Sequence, residues 1–411
     1  MMQNALTVST WTKGIRYYLT TKGLTSATPS DLYAGLQKAV DEDVSVPPNV
    51  ATIMESWEHQ SGHPLVTVSR NGDKITITQE RMLYSGTDAA NTLWWIPINY
   101  IVGSNPNFTS TAPDMWMKGE KTITLTSATA PKPWTSNDWI VFNSQQTSYY
   151  RVNYDDNLWK SIIEQLNKPN AAEYAKINVV NRAQLIDDSL SMARAGRVKY
   201  SVPLGIMNYL SKETDYIPWV AANRGLSLMN RLLTSTTSNE NYQNFVRKSI
   251  AAMFNKLGVN LIANEPKLDV YARQLAIDLA CQAGLPACLI QTNDKLHQLM
   301  NNSTMKLAPD VRSNIYCNGL RLVNSELFFF MFNRIQTTTD ASERSLLITS
   351  LGCTGDATLL QMHLNSALTV SSAYTTNERS RVLSSAVTNG QLGLELTMKF
   401  VKTNYVAINK R

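Results

Sequence analysis

The stretch NRAQLIDDSLSMARAGRVKYSVPLGIMNYLSKETDYIPW, Asn181–Trp219, decides the fold of this chain. Ile186, Leu190 and Ala193 fall on one stripe at helical spacing, and Gly196 is placed to end that helix. The same period recurs to the C-terminus. Ala222, Leu226, Met229 and Leu233 form a second stripe with Pro218 near its start. Tyr242, Phe245, Ile250, Met253 and Leu257 form a third, and Leu268, Tyr271, Leu275 and Leu279 a fourth. Helices of this length joined by short connections predict an α-solenoid of stacked antiparallel pairs over residues 156–411. There is no strict sequence repeat, so the expectation rests on helix spacing together with the resemblance described below.

Upstream of Asp155 the period is two. Val66 and Val68 alternate with polar residues, Asn71-Gly72-Asp73 supplies a tight turn, and Ile75 and Ile77 resume the alternation, which predicts a β-hairpin. Further strand-like segments follow at Leu93–Ile101, Lys121–Leu125, Trp139–Asn143 and Tyr149–Val152. Short strands at this spacing predict a small antiparallel β-sandwich over 65–155. Residues 1–64 read as short helices: Trp11, Ile15, Tyr18 and Leu19 share a face, Thr28-Pro29-Ser30-Asp31 is a helix start, and Pro47-Pro48 breaks the chain before Val50–Trp57. The expected architecture is therefore multidomain and mainly α.

A chain of 411 residues that is 43% hydrophobic and 17% charged can bury several cores. Its net charge of +6 is small for this length and its basic residues are scattered, so no nucleic-acid or anionic-membrane partner is expected. No transmembrane run of about 18 apolar residues exists. The first residues do not read as a secretory signal, nor FVKTNYVAINKR as a lipid-anchor tail.

Few residues invite a chemical reading. Cys281, Cys288, Cys317 and Cys353 allow three disulfide pairings, or four buried thiols; their spacings differ from paired Cys-x-x-Cys zinc sites. His59 and His63 have the separation that places two metal ligands on one helix face, but Gly62 and Pro64 end the helix first, so no metal site is expected. Asp187-Asp188 suggests an acid and base pair. Adjacent helical side chains diverge by about 100°, so the expectation is structural, with one carboxylate capping or paired to Arg182 or Arg194 and the other solvated. No catalytic residue is assigned. In a strand Trp94 and Trp95 face opposite sides, one to the core and one to a domain junction. Asn107-Phe108-Thr109 and Asn301-Asn302-Ser303-Thr304 are sequons, making Asn107, Asn301 and Asn302 candidate glycosylation sites.

Asn181–Trp219 resembles the start of the C-terminal helical domain of zinc aminopeptidases related to insect-type aminopeptidase N. The segments ATPSDLYAGLQKAV (27–40), QERML (79–83), WWIPINY (94–100), WIVFNSQQTSYYRVNYDD (139–156) and LGCTGDATLLQMHLNSAL (351–368) are similar to the same family. It departs at Ser148, where the family usually has Gly, along Ser372–Arg381, and at Asn404-Tyr405 in place of Asn-Trp. If position 148 requires a positive φ, Ser148 carries modest strain. The resemblance implies a helical end of a catalytic domain over 1–64, a β-sandwich over 65–155 and a HEAT-like α-solenoid over 156–411. It also selects the disulfides Cys281–Cys288 and Cys317–Cys353, which with the sequons imply an extracellular or cell-surface setting. The family's His-Glu-x-x-His zinc motif and Gly-x-Met-Glu-Asn segment do not occur here. No cofactor is expected in this chain, zinc being expected only in the full-length family. The implied role is a non-catalytic binding or cavity-closing module whose partner is a catalytic aminopeptidase segment, a peptide or an extracellular protein. The alternative is one piece of an active zinc aminopeptidase.

Overall fold

The computed structural model describes residues 1–43, 49–302, 304–369 and 374–409; Pro47-Pro48, Ser303 of the second sequon and the Ser372–Ala373 part of the divergent stretch lie outside the described residues. The protein is mainly helical with small sheets, and the chain divides into two units, Met1–Tyr209 and Leu210–Arg411.

The first unit opens with α1 (Met2–Ala5), α2 (Val8–Lys22), α3 (Pro29–Asp41) and α4 (Val50–Glu58). Thr28 and Asp31 close a capping box at the start of α3, as the Thr-Pro-Ser-Asp sequence predicts. Leu6, Leu36, Val50 and Ile53 form the core of this helical cluster. Eight strands follow: β1 (Pro64–Asn71), β2 (Lys74–Arg81), β3 (Trp95–Ile98), β4 (Tyr100–Val102), β5 (Met115–Lys118), β6 (Thr122–Thr126), β7 (Ile140–Phe142) and β8 (Arg151–Tyr154). β1 and β2 form the expected hairpin, with Asn71 opposite Lys74 and Gly72 at φ 61°. The sheet order is β6-β2-β1-β8, with β3-β5 and β4-β7 as separate two-stranded ladders. Two features depart from the sequence expectation. β5 is an additional strand, and β8 pairs with β1 in parallel, Val66 opposite Val152, so the strands are not all antiparallel. The long excursion between β1 and β8 gives the chain room for the crossover that a parallel pair requires.

Trp94 is fully buried. Trp95 instead packs on the N-terminal helical cluster, where its carbonyl accepts a 2.8 Å hydrogen bond from Trp57 Nε1. The unit ends with α5 (Asp156–Asn167), capped by Asp155, then α6 (Ala171–Tyr174), α7 (Val179–Arg194) and α8 (Ser201–Met207).

The second unit contains α9 (Tyr216–Leu233), α10 (Asn239–Leu257), α11 (Lys267–Gln282), α12 (Pro286–Asn301), α13 (Pro309–Gly319), α14 (Ser325–Thr337), α15 (Ala341–Leu351), α16 (Ala357–Ser366), α17 (Thr376–Val387) and α18 (Gly390–Asn409). α9, α11, α13, α15 and α17 touch in turn as one row, with α10, α12, α14 and α18 packed on α11, α13, α15 and α17. Buried charges link neighbours of the row: Glu343 on α15 accepts from Arg312 Nη1 at 2.9 Å and from Tyr316 Oη at 2.7 Å, both on α13. Arg344 Nε on α15 meets Glu378 Oε1 on α17 at 2.6 Å. Among the described residues no single helix is long and apolar enough to cross a membrane.

Candidate functional site

The opening stretch meets the sheet at a turn. Between β7 and β8 the chain takes left-handed conformations at Asn143 (φ 63°), Gln145 (φ 51°) and Gln146 (φ 52°). Such residues persist where their surroundings over-determine them, and here side-chain amides do so. Asn143 Oδ1 accepts from the Ser148 amide at 2.9 Å while its Nδ2 donates to the Ser148 carbonyl at 2.9 Å. Asn99 Oδ1 accepts from the Ser144 amide at 2.7 Å, and Asn181 Oδ1 from the Gln145 amide at 2.7 Å. Asn181 Nδ2 in turn donates to the Asn143 carbonyl at 2.9 Å. Ser148 itself has no positive φ, so the strain conjectured there falls on Asn143, Gln145 and Gln146 instead.

This turn delivers Arg151 to α7. Its Nη1 lies 2.6 Å from Asp187 Oδ2 and 2.8 Å from Asp188 Oδ1, so the two carboxylates converge, contrary to the expectation that they diverge. The helical angle between them is real, but one guanidinium nitrogen on a neighbouring strand sits between both. The partner is also not one of the two arginines expected: Arg182 donates to the Ile177 carbonyl at 2.8 Å, and the Arg194 guanidinium lies 4.7 Å from the Tyr84 ring centroid. Asp188 is buried, and its Oδ2 accepts from the Val152 amide at 3.0 Å. Burial pushes its carboxyl up to about 6 against the pull of Arg151. Burial opposes the Arg151 charge too, but the two carboxylates outweigh it and raise the guanidinium above its ordinary range.

Beside the ion pair lies a cleft of about 220 Å³ lined by His63, Gln146, Tyr149 and Asp187. The His63 and Tyr149 rings are 5.5 Å apart, and burial followed by the Arg151 charge lowers the imidazole's pKa, keeping it neutral at pH 7. His59 caps the end of α4 and is exposed, while His63 lies beyond Gly62. Among the described residues, no group of three or more His, Cys, Asp or Glu side chains is arranged to hold a metal ion.

In the second unit Cys281 is bonded to Cys288, tying α11 to α12, and Cys317 to Cys353, tying α13 to the end of α15. Asn107, Asn301 and Asn302 are exposed. Asn107 Oδ1 accepts from the Thr109 amide at 2.9 Å and hydroxyl at 2.7 Å. His297 Nε2 lies 3.0 Å from Asn324 Nδ2, and His363 is fully buried.

One concavity was not anticipated from the sequence. A groove of about 610 Å³ runs over α9, α11 and α13, with Tyr216, Asn223, Tyr271, Gln274, Asp278 and Asp310 on its walls. A second hollow of about 540 Å³ shares Ser227, Leu279 and Gln282 with it and extends to Arg231 and Leu394. Gln274, Asp278 and Gln282 recur every four residues along α11, beside Tyr271, Leu275 and Leu279 in the same groove, and this polar row was the one available signal. Side-chain amides cross-link the floor: Asn314 Nδ2 donates to the Gln274 carbonyl at 3.3 Å and Asn318 Nδ2 to Asp278 Oδ1 at 2.9 Å.

Residues 139–411 match the model of the ERAP1-like C-terminal domain family. The chain is 32% identical, over 99% of its length, to aminopeptidase N of Plutella xylostella, of which it spans 43%. It is 28% identical over its whole length to the thyrotropin-releasing hormone-degrading ectoenzyme of Rattus norvegicus, spanning 39% of that protein, and 29% identical over 95% of its length to membrane alanyl aminopeptidase of Heliothis virescens, again spanning 39%. It thus covers less than half the length of these relatives. The chain belongs to the ERAP1-like C-terminal domain family, corresponding to a C-terminal portion of the aminopeptidase N-type proteins.

Proposed function

We propose that this chain is a non-catalytic binding module of an aminopeptidase N-like protein, its helical row forming the wall that closes a peptide-sized cavity. The observation that carries this reading is the groove over α9, α11 and α13, whose hydrogen-bonding amides and tyrosine faces suit an extended polar chain. On the same reading the helix pairs of the second unit are HEAT-like repeats, supported by the row packing, and the four-stranded sheet and two short ladders of the first belong to a β-sandwich. The two disulfides and the exposed sequon asparagines support an extracellular or cell-surface setting and a glycoprotein. Calorimetric titration of the purified chain with short peptides tests the module: saturable binding without hydrolysis is expected, and metal-dependent release of an N-terminal residue by this chain would overturn it.

A second reading has its own support. Val8, Leu19 and Leu24 on and just after α2 are exposed apolar side chains, a surface suited to packing against a catalytic segment of a longer zinc aminopeptidase. Co-purification of the chain with a zinc-containing polypeptide would establish that reading, and a zinc-free monomer in native material would remove it.

A further inference from the structure

We infer that the groove over α9, α11 and α13 selects a cationic group, the guanidinium or ammonium of a peptide side chain, holding it between Tyr216, Tyr271, Asp278 and Asp310. The inference rests on the binding-module reading and adds a ligand class to it.

Charge supplies the first argument. The chain as a whole carries +6, yet among the described residues none of those lining this groove is Lys or Arg, while two are Asp. A cleft with one sign of charge and low-dielectric walls concentrates ligands of the opposite sign. Asp310 lies in the first turn of α13. Asp278 makes no direct ion pair among the described residues. Its Oδ1 accepts from Asn318 Nδ2 at 2.9 Å, and Asn318 Oδ1 accepts from Arg321 Nε at 2.8 Å. A neutral amide therefore orients the carboxylate from the floor; burial raises its pKa, and the Asn314 and Asn318 amides and the Arg321 charge oppose that only in part.

The aromatic pair supplies the second. The Tyr216 and Tyr271 ring centroids are 5.8 Å apart at an interplanar angle of 43°, and Tyr271 is 37% exposed. Ring faces with negative potential beside carboxylates attract a cation more than any other polar group, and a planar guanidinium stacks on them best. Asn223 on α9 and Gln274 on α11 place side-chain amides beside the ring pair, Asn223 accepting from the Ser227 hydroxyl and Gln274 donating to the Asp310 carbonyl.

The test is calorimetric titration of the full chain with acetyl-Ala-Arg-Ala-amide, acetyl-Ala-Gln-Ala-amide and spermidine. The arginine peptide is expected to bind at least about tenfold more tightly than the glutamine peptide, with affinity falling as salt rises. Asp278→Asn, which keeps the amide contacts, and Tyr271→Ala, at an exposed position, are each expected to erase most of that difference with an unchanged circular dichroism spectrum. Equal affinity for the two peptides would overturn the cation selection and leave the binding module standing. Failure of every ligand to bind would overturn both. Binding of spermidine with neither peptide would overturn the assignment to a peptide side chain.

Discussion

Two buried ionisable residues carry sharp expectations. Replacing Arg151 with Met leaves Asp188 buried without its counter-charge, and removing one partner of a buried pair costs about 3 kcal/mol. Chemical denaturation should show that loss at pH 7, and Asp188→Asn added to it should restore most of the stability. His363 is the converse case. It is fully buried, and burial lowers its pKa to about 4, with a hydrogen bond to the Ile348 backbone opposing only in part. A folded pKa below the unfolded value near 6.5 means that stability is complete above 6.5 and is lost as pH falls towards 4, by about 3 kcal/mol. His363→Phe should therefore melt higher than the parent at pH 5 and flatten the melting temperature against pH; an unchanged acid slope would contradict this account. Neither behaviour was legible beforehand. A lone His at helical spacing reads as surface or core alike, and Asp187-Asp188 shows nothing of an arginine more than thirty residues upstream.

Elements were legible where the pattern was strong. The β1–β2 hairpin follows from its alternation and Asn-Gly-Asp turn, and α7, α9, α10 and α11 follow from their stripes. β5 was missed because Met115-Trp116-Met117-Lys118 is four residues long with three apolar residues in a row and so shows no period of two, and the parallel β1–β8 pairing because register between distant strands leaves no local trace. The disulfides act at this scale by fastening neighbouring helices. Cys317 and Cys353 are 36 residues apart and Cys281 and Cys288 only seven, so loop-closure entropy makes the longer bridge worth about 1.5 kcal/mol more. Paired Cys→Ser variants compared by urea denaturation should rank in that order; a larger loss from the short bridge would show that native packing at the α11–α12 corner, rather than chain entropy, sets its contribution.

For the whole molecule, the two units should answer pH in opposite directions. Asp188 in the first unit has a folded pKa of about 6, above the unfolded value, so its contribution is present at about pH 4 and is lost as pH rises through 6. His363 in the second unit loses stability over that same range when pH falls. Hydrogen exchange corrected for intrinsic rates should show amides around α14–α16 weakening by about 3 kcal/mol from pH 6.5 to 4, with those around α7 held or strengthened; parallel weakening of both regions would refute the separation. The sequence by itself determined the succession of helices, strands and helices, the family, and the cysteines able to pair, because periodicity, turn residues and local motifs are properties of neighbouring positions. Tertiary structure alone decided that Asp187 and Asp188 share Arg151, that strain falls on Asn143, Gln145 and Gln146, and that Tyr216, Tyr271, Asp278 and Asp310 line one groove. Each of these joins residues from separate elements, and which elements meet is set by the packing of their buried faces, a long-range property that no local pattern encodes.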